Sequence, residues 1–78
     1  MDFDFSKPAL IQMNLRNISQ SEVINVLQNP DKINTENETH IFQLVQLGYL
    51  YRVFVNRIKN LKLVITVYKT SKINKYES

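Results

Sequence analysis

The residues from Gly48 to Tyr68 constrain the fold more than any other part of the chain, because they read as two β-strands joined by a short polar turn. The predicted strands cover Tyr49–Asn56 and Leu61–Tyr68, and the turn covers Arg57–Asn60. β-Branched and aromatic residues fill both strands, and such residues suit a pleated, half-buried surface. The pattern therefore predicts an antiparallel hairpin around which the rest of the fold is organised.

The two faces of this hairpin differ in polarity, because alternate side chains of a strand point to opposite sides of a sheet. The set predicted to be apolar is Val53, Val55, Leu61, Leu63, Ile65 and Val67. The other set is mixed, and its exposed part would carry positive charge: Arg52, Phe54, Lys62, Val64, Thr66 and Tyr68. We expect one shared core: Val23, Ile24, Leu27, Val53, Val55, Leu63, Ile65 and Val67.

Two helices are predicted before the hairpin, near residues 8–16 and 20–29. Ser19 and Glu22 have the spacing of a capping box, in which each residue satisfies the backbone N–H of the other. Pro30 disfavours a helical conformation in the residue before it and so predicts the end of the second helix.

The remaining segments complete a single domain of 78 residues. Asp31–Glu38 is polar apart from Ile33, which predicts a connection, and residues 39–47 alternate like a third strand. Residues 1–6 are predicted to be a loose or strand-like N-terminal arm, and residues 70–78 a basic tail. The order of elements predicts an α+β fold in which both helices pack on one face of a three-stranded antiparallel meander.

The composition argues against several kinds of site. The chain has no cysteine, a single glycine and a single histidine, His40, which predicts a structural or solvent-facing side chain. Thiolate or histidine metal sets and glycine-rich phosphate loops are therefore not expected, and neither is a cofactor. No apolar run reaches the roughly 18 residues of a membrane span, and no signal peptide is visible. We expect a cytoplasmic protein that does not bind membranes.

The charge is divided unevenly along the chain. Residues 1–51 contain three cations and six carboxylates, a net charge of −3, whereas residues 52–78 contain seven cations and one carboxylate, a net charge of +6. One interpretation is that this basic half binds RNA phosphates or an acidic protein. The other is a solvated sheet edge, where lysines discourage aggregation. The residues predicted to bind are Arg52, Arg57, Lys59, Lys62, Lys69 and Lys72.

Several short motifs resemble a small bacterial family, domain of unknown function 4258. They are Ser6-Lys-Pro-Ala-Leu-Ile-Gln-Met13, Arg16-Asn-Ile-Ser19, Glu22-Val23, Leu27-Gln-Asn-Pro30, Arg52-Val-Phe-Val55 and Val64-Ile-Thr-Val-Tyr68. The resemblance covers residues 6–69. Pro8 and Gln12 stand where the family has histidine and arginine, so an activity that depends on those two residues is not expected here.

This family is similar in fold to the RelE and ParE toxins, and the similarity implies further expectations. It implies that Arg52 and Tyr76 occupy the places of catalytic residues in messenger RNA cleavage. Thr70 occupies the place of a second catalytic arginine, whose charge it cannot replace. The acidic linker Asp31–Glu38 stands where RelE has a long basic helix, which weakens the ribonuclease interpretation.

Two functions remain open at this point. The first is a RelE/ParE-like toxin-family protein that binds RNA and has weak or lost ribonuclease activity. The second is a non-catalytic interaction module or homodimer that uses the basic edge of the sheet. The expected partners are accordingly an acidic antitoxin, RNA or a second copy of the chain.

Overall fold

The computed structural model describes residues 3–58 and 61–72, which form one mixed sheet and two helices. In chain order the elements are β1 (Phe3–Phe5), α1 (Lys7–Leu15), α2 (Gln20–Gln28), β2 (Lys32–Glu36), β3 (Thr39–Gln46), β4 (Tyr49–Ile58) and β5 (Leu61–Thr70). The strands lie in the order β1-β5-β4-β3-β2. β1 runs parallel to β5, and the other neighbours are antiparallel.

The predicted three-stranded antiparallel meander is wrong, because the sheet has five strands and one parallel pair. The α+β class is consistent with the structure. The two helices and the strand predicted over residues 39–47 lie within one residue of their expected ends, and each strand of the hairpin ends two residues later than predicted. The error therefore concerns the two outer strands alone.

Both outer strands lack the signals that identify a strand in a sequence. β2 was predicted to be a connection because its residues are mostly polar, and four of its five side chains are exposed. It forms a ladder with β3 in which Ile33 lies opposite Phe42. β1 has only three residues and pairs with a strand near the other end of the chain, with Phe3 opposite Lys62. The local sequence does not reveal a parallel partner so distant along the chain.

The core joins both helices to one face of the sheet, here called the helix face. Its buried residues form one cluster: Ala9, Met13, Ile18, Val23, Val26, Leu27, Leu44, Tyr51, Val53, Val55, Val64 and Val67. Of the predicted core, Ile24, Leu63 and Ile65 are only half-buried.

A β-bulge explains the two exceptions in β5. Val53 lies opposite Val67, but Val55 lies opposite Val64, so two residues of β5 face the single residue Phe54. The extra residue reverses the alternation of side chains beyond it. Val64, predicted to be on the mixed face, therefore enters the core, and Leu63 turns away from it.

Each helix begins at a serine cap. The predicted capping box of α2 is confirmed: Glu22 N–H donates to Ser19 Oγ at 3.1 Å, and Ser19 N–H donates to Glu22 Oε1 at 3.0 Å. α1 lies beside β5, where Gln12 Oε1 accepts from the backbone N–H of Val67 at 3.0 Å. Neither helix in the described part of the chain is long and apolar enough to cross a membrane.

Candidate polyanion-binding site

The predicted catalytic pair is only partly described. Arg52 lies on β4 and faces away from the helix face, with its guanidinium carbon 5.4 Å from the centre of the Phe54 ring. Tyr76 lies outside the described residues. Thr70 ends β5, and its hydroxyl accepts from the backbone N–H of Lys72 at 3.1 Å. The proposed catalytic roles of Arg52 and Tyr76 stay predictions.

The predicted binding residues are spread over different parts of the sheet. Arg57 and Lys62 lie opposite each other on β4 and β5, on the helix face. Lys69 lies near the other end of β5, seven positions and therefore about 23 Å along the strand from Lys62. Lys72 is exposed just beyond β5, and Lys59 lies outside the described residues. Among the described residues of this set, Arg57 and Lys62 line one cavity together.

This basic–aromatic cavity has a volume of about 220 Å³ and opens on the part of the helix face that the helices leave uncovered. Its lining residues are Phe3, Ile33, His40, Phe42, Val55, Arg57 and Lys62. Aromatic and aliphatic side chains thus form its walls, and two cations lie at its rim.

The two strands that the sequence did not reveal supply opposite walls of the cavity. The parallel register of β1 places Phe3 beside Lys62, and the antiparallel register of β2 places Ile33 beside Phe42. The Phe3 and Phe42 rings meet edge to face, with centroids 6.1 Å apart. Without β1 and β2, the cavity would have neither wall.

The polar groups of the cavity have few partners. Lys62 Nζ lies 5.4 Å from the centre of the Phe3 ring, a cation–π distance. His40 Nδ1 lies 3.0 Å from Thr35 Oγ1, which orients the imidazole. Within residues 3–58 and 61–72 the structure has one ion pair, between Lys69 and Glu22. Neither Arg57 nor Lys62 contacts a carboxylate of these residues. The rim therefore has two cations that form no ion pair with the described carboxylates.

Lys69 has a different environment, here called the Glu22 cluster. Its Nζ lies 3.4 Å from Glu22 Oε2 and 4.6 Å from the centre of the Tyr49 ring. The Tyr51 hydroxyl donates to the same carboxylate oxygen. The carboxylate thus joins the start of α2 to β4 and β5.

Hydrogen bonds fix the charges of this cluster. The pKa of Glu22 is lowered to about 2, mainly by the hydrogen bond from the Tyr51 hydroxyl and next by the one from the backbone N–H of Ser19. The pKa of the Tyr51 hydroxyl is raised, mainly by burial and next by its hydrogen bond to Glu22. The pKa of Lys69 is raised, mainly by its interaction with the Tyr51 side chain. At neutral pH Tyr51 is therefore neutral, and the charge of Lys69 is balanced by Glu22.

Sequence reasoning missed several residues of both sites. Phe3 and Phe42 were not expected to bind anything, and His40 was predicted to be structural or solvent-facing, although it lines the cavity. Glu22 was predicted only as a helix cap. The period-two spacing of Phe3 and Phe5 was the one local sign that residues 1–6 could form a strand. In the described part of the chain, no three acidic, histidine or cysteine residues are grouped to hold a metal ion.

Comparison with known proteins identifies one family. The model of the family described as "Domain of unknown function (DUF4258)" matches residues 5–69. No curated protein and no solved structure matches significantly. The similarity to RelE and ParE toxins therefore stays a prediction.

Proposed function

The chain belongs to the family domain of unknown function 4258, and from this premise we propose that it binds single-stranded RNA without efficient cleavage. The observation that supports the proposal best is the pairing of Arg57 and Lys62 at the rim of a cavity walled by Phe3 and Phe42.

The chemistry of the cavity suits a nucleotide better than other ligands. Proteins bind single-stranded RNA by stacking its bases on aromatic rings and holding its phosphates with lysine and arginine. A volume of about 220 Å³ is below that of sites for drug-sized ligands, and it suits one flat ring. Directly opposite residues of two strands have Cβ atoms about 5 Å apart, so Arg57 and Lys62 can hold phosphates on either side of one base.

The sequence resemblance supports RNA as the polyanion, since RelE toxins act on messenger RNA. Efficient cleavage is not part of the proposal. Cleavage without a metal needs several cations and a proton acceptor around one phosphate. Arg52 lies on the other face of the sheet from Arg57 and Lys62, and Glu22 already neutralises Lys69. Loss of one cation that stabilises a transition state costs about a hundredfold to a thousandfold in rate.

The test is fluorescence anisotropy with a labelled single-stranded RNA at several salt concentrations. The double variant Arg57→Glu/Lys62→Glu should lose binding. The matched control, Lys7→Glu/Arg16→Glu, makes the same change in net charge on α1 and just beyond it, and should bind within about twofold of wild type. Each phosphate contact contributes about 0.7 to the salt slope for a single strand, so replacing both cations with glutamine should reduce the slope by about 1.4.

Stacking is tested separately from charge. Phe42→Leu keeps an apolar side chain but removes the ring, and should weaken binding by about 1–3 kcal/mol. Equal binding by the cavity variant and the α1 control would show that the cavity is not the site. Robust cleavage of the RNA by the wild-type protein would show that the non-catalytic part of the proposal is wrong.

A further inference from the structure

We infer that β2 is a dimerisation edge, at which two copies of the chain pair antiparallel about a two-fold axis through Asn34. The inference rests on the exposed edge and its charge pattern and does not depend on RNA binding.

β2 is the last strand of the sheet and pairs on one side only, with β3. In an antiparallel ladder alternate residues direct their backbone N–H and C=O groups to the neighbour, so the others direct theirs outward. Such an unpaired row is a template for another strand. The opposite edge of the sheet is less suitable, because β1 has only three residues and α1 lies beside the adjoining length of β5.

The sequence of β2 is complementary to itself when reversed. Centring an antiparallel pair on Asn34 places Lys32 opposite Glu36 of the partner subunit, and Glu36 opposite Lys32 of the partner subunit. Ile33 then lies opposite the partner's Thr35. Opposite charges that face each other across two strands attract, whereas a parallel pair in register would align like charges. A second copy is therefore the partner that this edge fits.

Lys32 and Glu36 form no ion pair with other described residues that the dimer would break. On β3 the neighbours of Lys32 and Glu36 are the uncharged residues Gln43 and Thr39. Lys32 and Glu36 are both exposed, and the Ile33 side chain is 51% exposed. Pairing would bring the two Ile33 side chains to diagonal positions on the helix face, so the basic–aromatic cavities of both copies would lie side by side.

The contact is small, because five residues from each copy meet along one edge. Stable interfaces bury at least about 1,000 Å², so this dimer should be weak and its population should depend on concentration. A symmetric interface repeats each contact twice. A single charge reversal therefore changes two contacts at once, which makes the charge pattern a sensitive test.

The experiment is sedimentation equilibrium of the whole protein up to about 0.5 mM, where even a weak dimer is populated. The variants Lys32→Glu and Glu36→Lys each place like charges opposite each other, and each should weaken self-association at least about tenfold. The control, Lys7→Glu, has the same charge change as Lys32→Glu on an exposed residue of α1 and should dimerise like wild type. Circular dichroism of each variant checks that it is folded.

The decisive step is to mix the two single variants in equal amounts. In a mixed pair the new carboxylate of Lys32→Glu faces the new ammonium of Glu36→Lys, so heterodimers should form although neither variant dimerises alone. The double variant Lys32→Glu/Glu36→Lys should regain homodimers. A wild type that stays monomeric at the highest concentration overturns the inference. Single variants that dimerise like wild type also overturn it, because the dimer would then use another surface.

Discussion

A lysine lies near each end of β5, and the two lysines have neighbours of opposite charge. Lys62 and Lys69 point to the same face of the sheet. Lys62 Nζ lies 5.4 Å from the centre of the Phe3 ring, and Lys69 Nζ lies 4.6 Å from the centre of the Tyr49 ring. Lys69 pairs with the carboxylate of Glu22, whereas Lys62 lies opposite another cation, Arg57. An ammonium that pairs with a carboxylate stabilises the fold, and we expect one that faces a second cation to be the better site for an anion from solution. We therefore expect the charge of its neighbour to determine the role of each lysine.

The largest expected difference between the two ends comes from their aromatic residues. Tyr51 is wholly buried beside Lys69, and Phe3 is half-buried beside Lys62. Tyr51→Ala removes a full ring from the core and should lower the free energy of unfolding by about 3–5 kcal/mol, against about 1–2 kcal/mol for Phe3→Ala. Urea unfolding followed by circular dichroism measures both. Equal losses would mean that the uncovered end of the sheet is packed as tightly as the end beneath the helices.

Acid should weaken the Glu22 cluster. The pKa of Glu22 is lowered from 4.5 to about 2, so its stabilisation is complete above the unfolded-state pKa and is lost as the pH falls from about 4.5 towards 2. Because about a quarter of the side chain is exposed, the contribution is discounted to about 2 kcal/mol. Glu22→Gln keeps the capping box and should remove this acid-dependent part of the unfolding free energy. An identical pH profile for the variant and wild type would contradict the assigned pKa shift.

Replacing each lysine by methionine should separate stability from binding. Lys69→Met leaves the Glu22 carboxylate without its cation and should cost about 1 kcal/mol of folding free energy with RNA affinity unchanged. Lys62→Met should change stability by less than about 0.5 kcal/mol and weaken RNA binding severalfold. Thermal unfolding and anisotropy on the same samples give both quantities. Weaker binding by Lys69→Met than by Lys62→Met would contradict the proposed site, because RNA would then bind at the Lys69 end of β5.

The smallest expected effect is the relief of repulsion at the cavity. Like charges directly opposite each other on two strands destabilise a sheet, so Arg57→Gln should raise the free energy of unfolding by about 0.2–0.5 kcal/mol. The gain should vanish in about 1 M salt, where exposed charges are screened within about 3 Å. Destabilisation by Arg57→Gln at low salt would show that Arg57 has a structural partner.

Local signals sufficed for the central elements of the fold but not for its edges. The capping box at Ser19 and Glu22 and the period-two pattern of β4 lie within a few residues of the structure they specify. β1 and β2 are the edge strands of the sheet, and one is short while the other is polar. Each is held by a single neighbouring strand that the local sequence does not reveal. The bulge opposite Phe54 was equally invisible, since it depends on how β4 and β5 align and not on the composition of either strand.

The residues of the candidate site were likewise predicted only in part. Charge counting along the sequence identified Arg57 and Lys62 as binding candidates but treated Lys69 in the same way. The carboxylate that neutralises Lys69 is 47 residues earlier in the chain and had already been explained as a helix cap. The rings beside Lys62 belong to strands that were missing from the prediction or distant in sequence.

The sequence by itself determined where the helices begin and end, which segments form the central strands, and that the second half of the chain is basic. These properties depend on interactions among residues a few positions apart. The tertiary structure alone decided which face each side chain of β5 occupies, that β1 and β2 wall a cavity, and which of two lysines meets a carboxylate. Those outcomes depend on strand register and on contacts between distant segments, where a shift of one residue turns a side chain to the other face of the sheet.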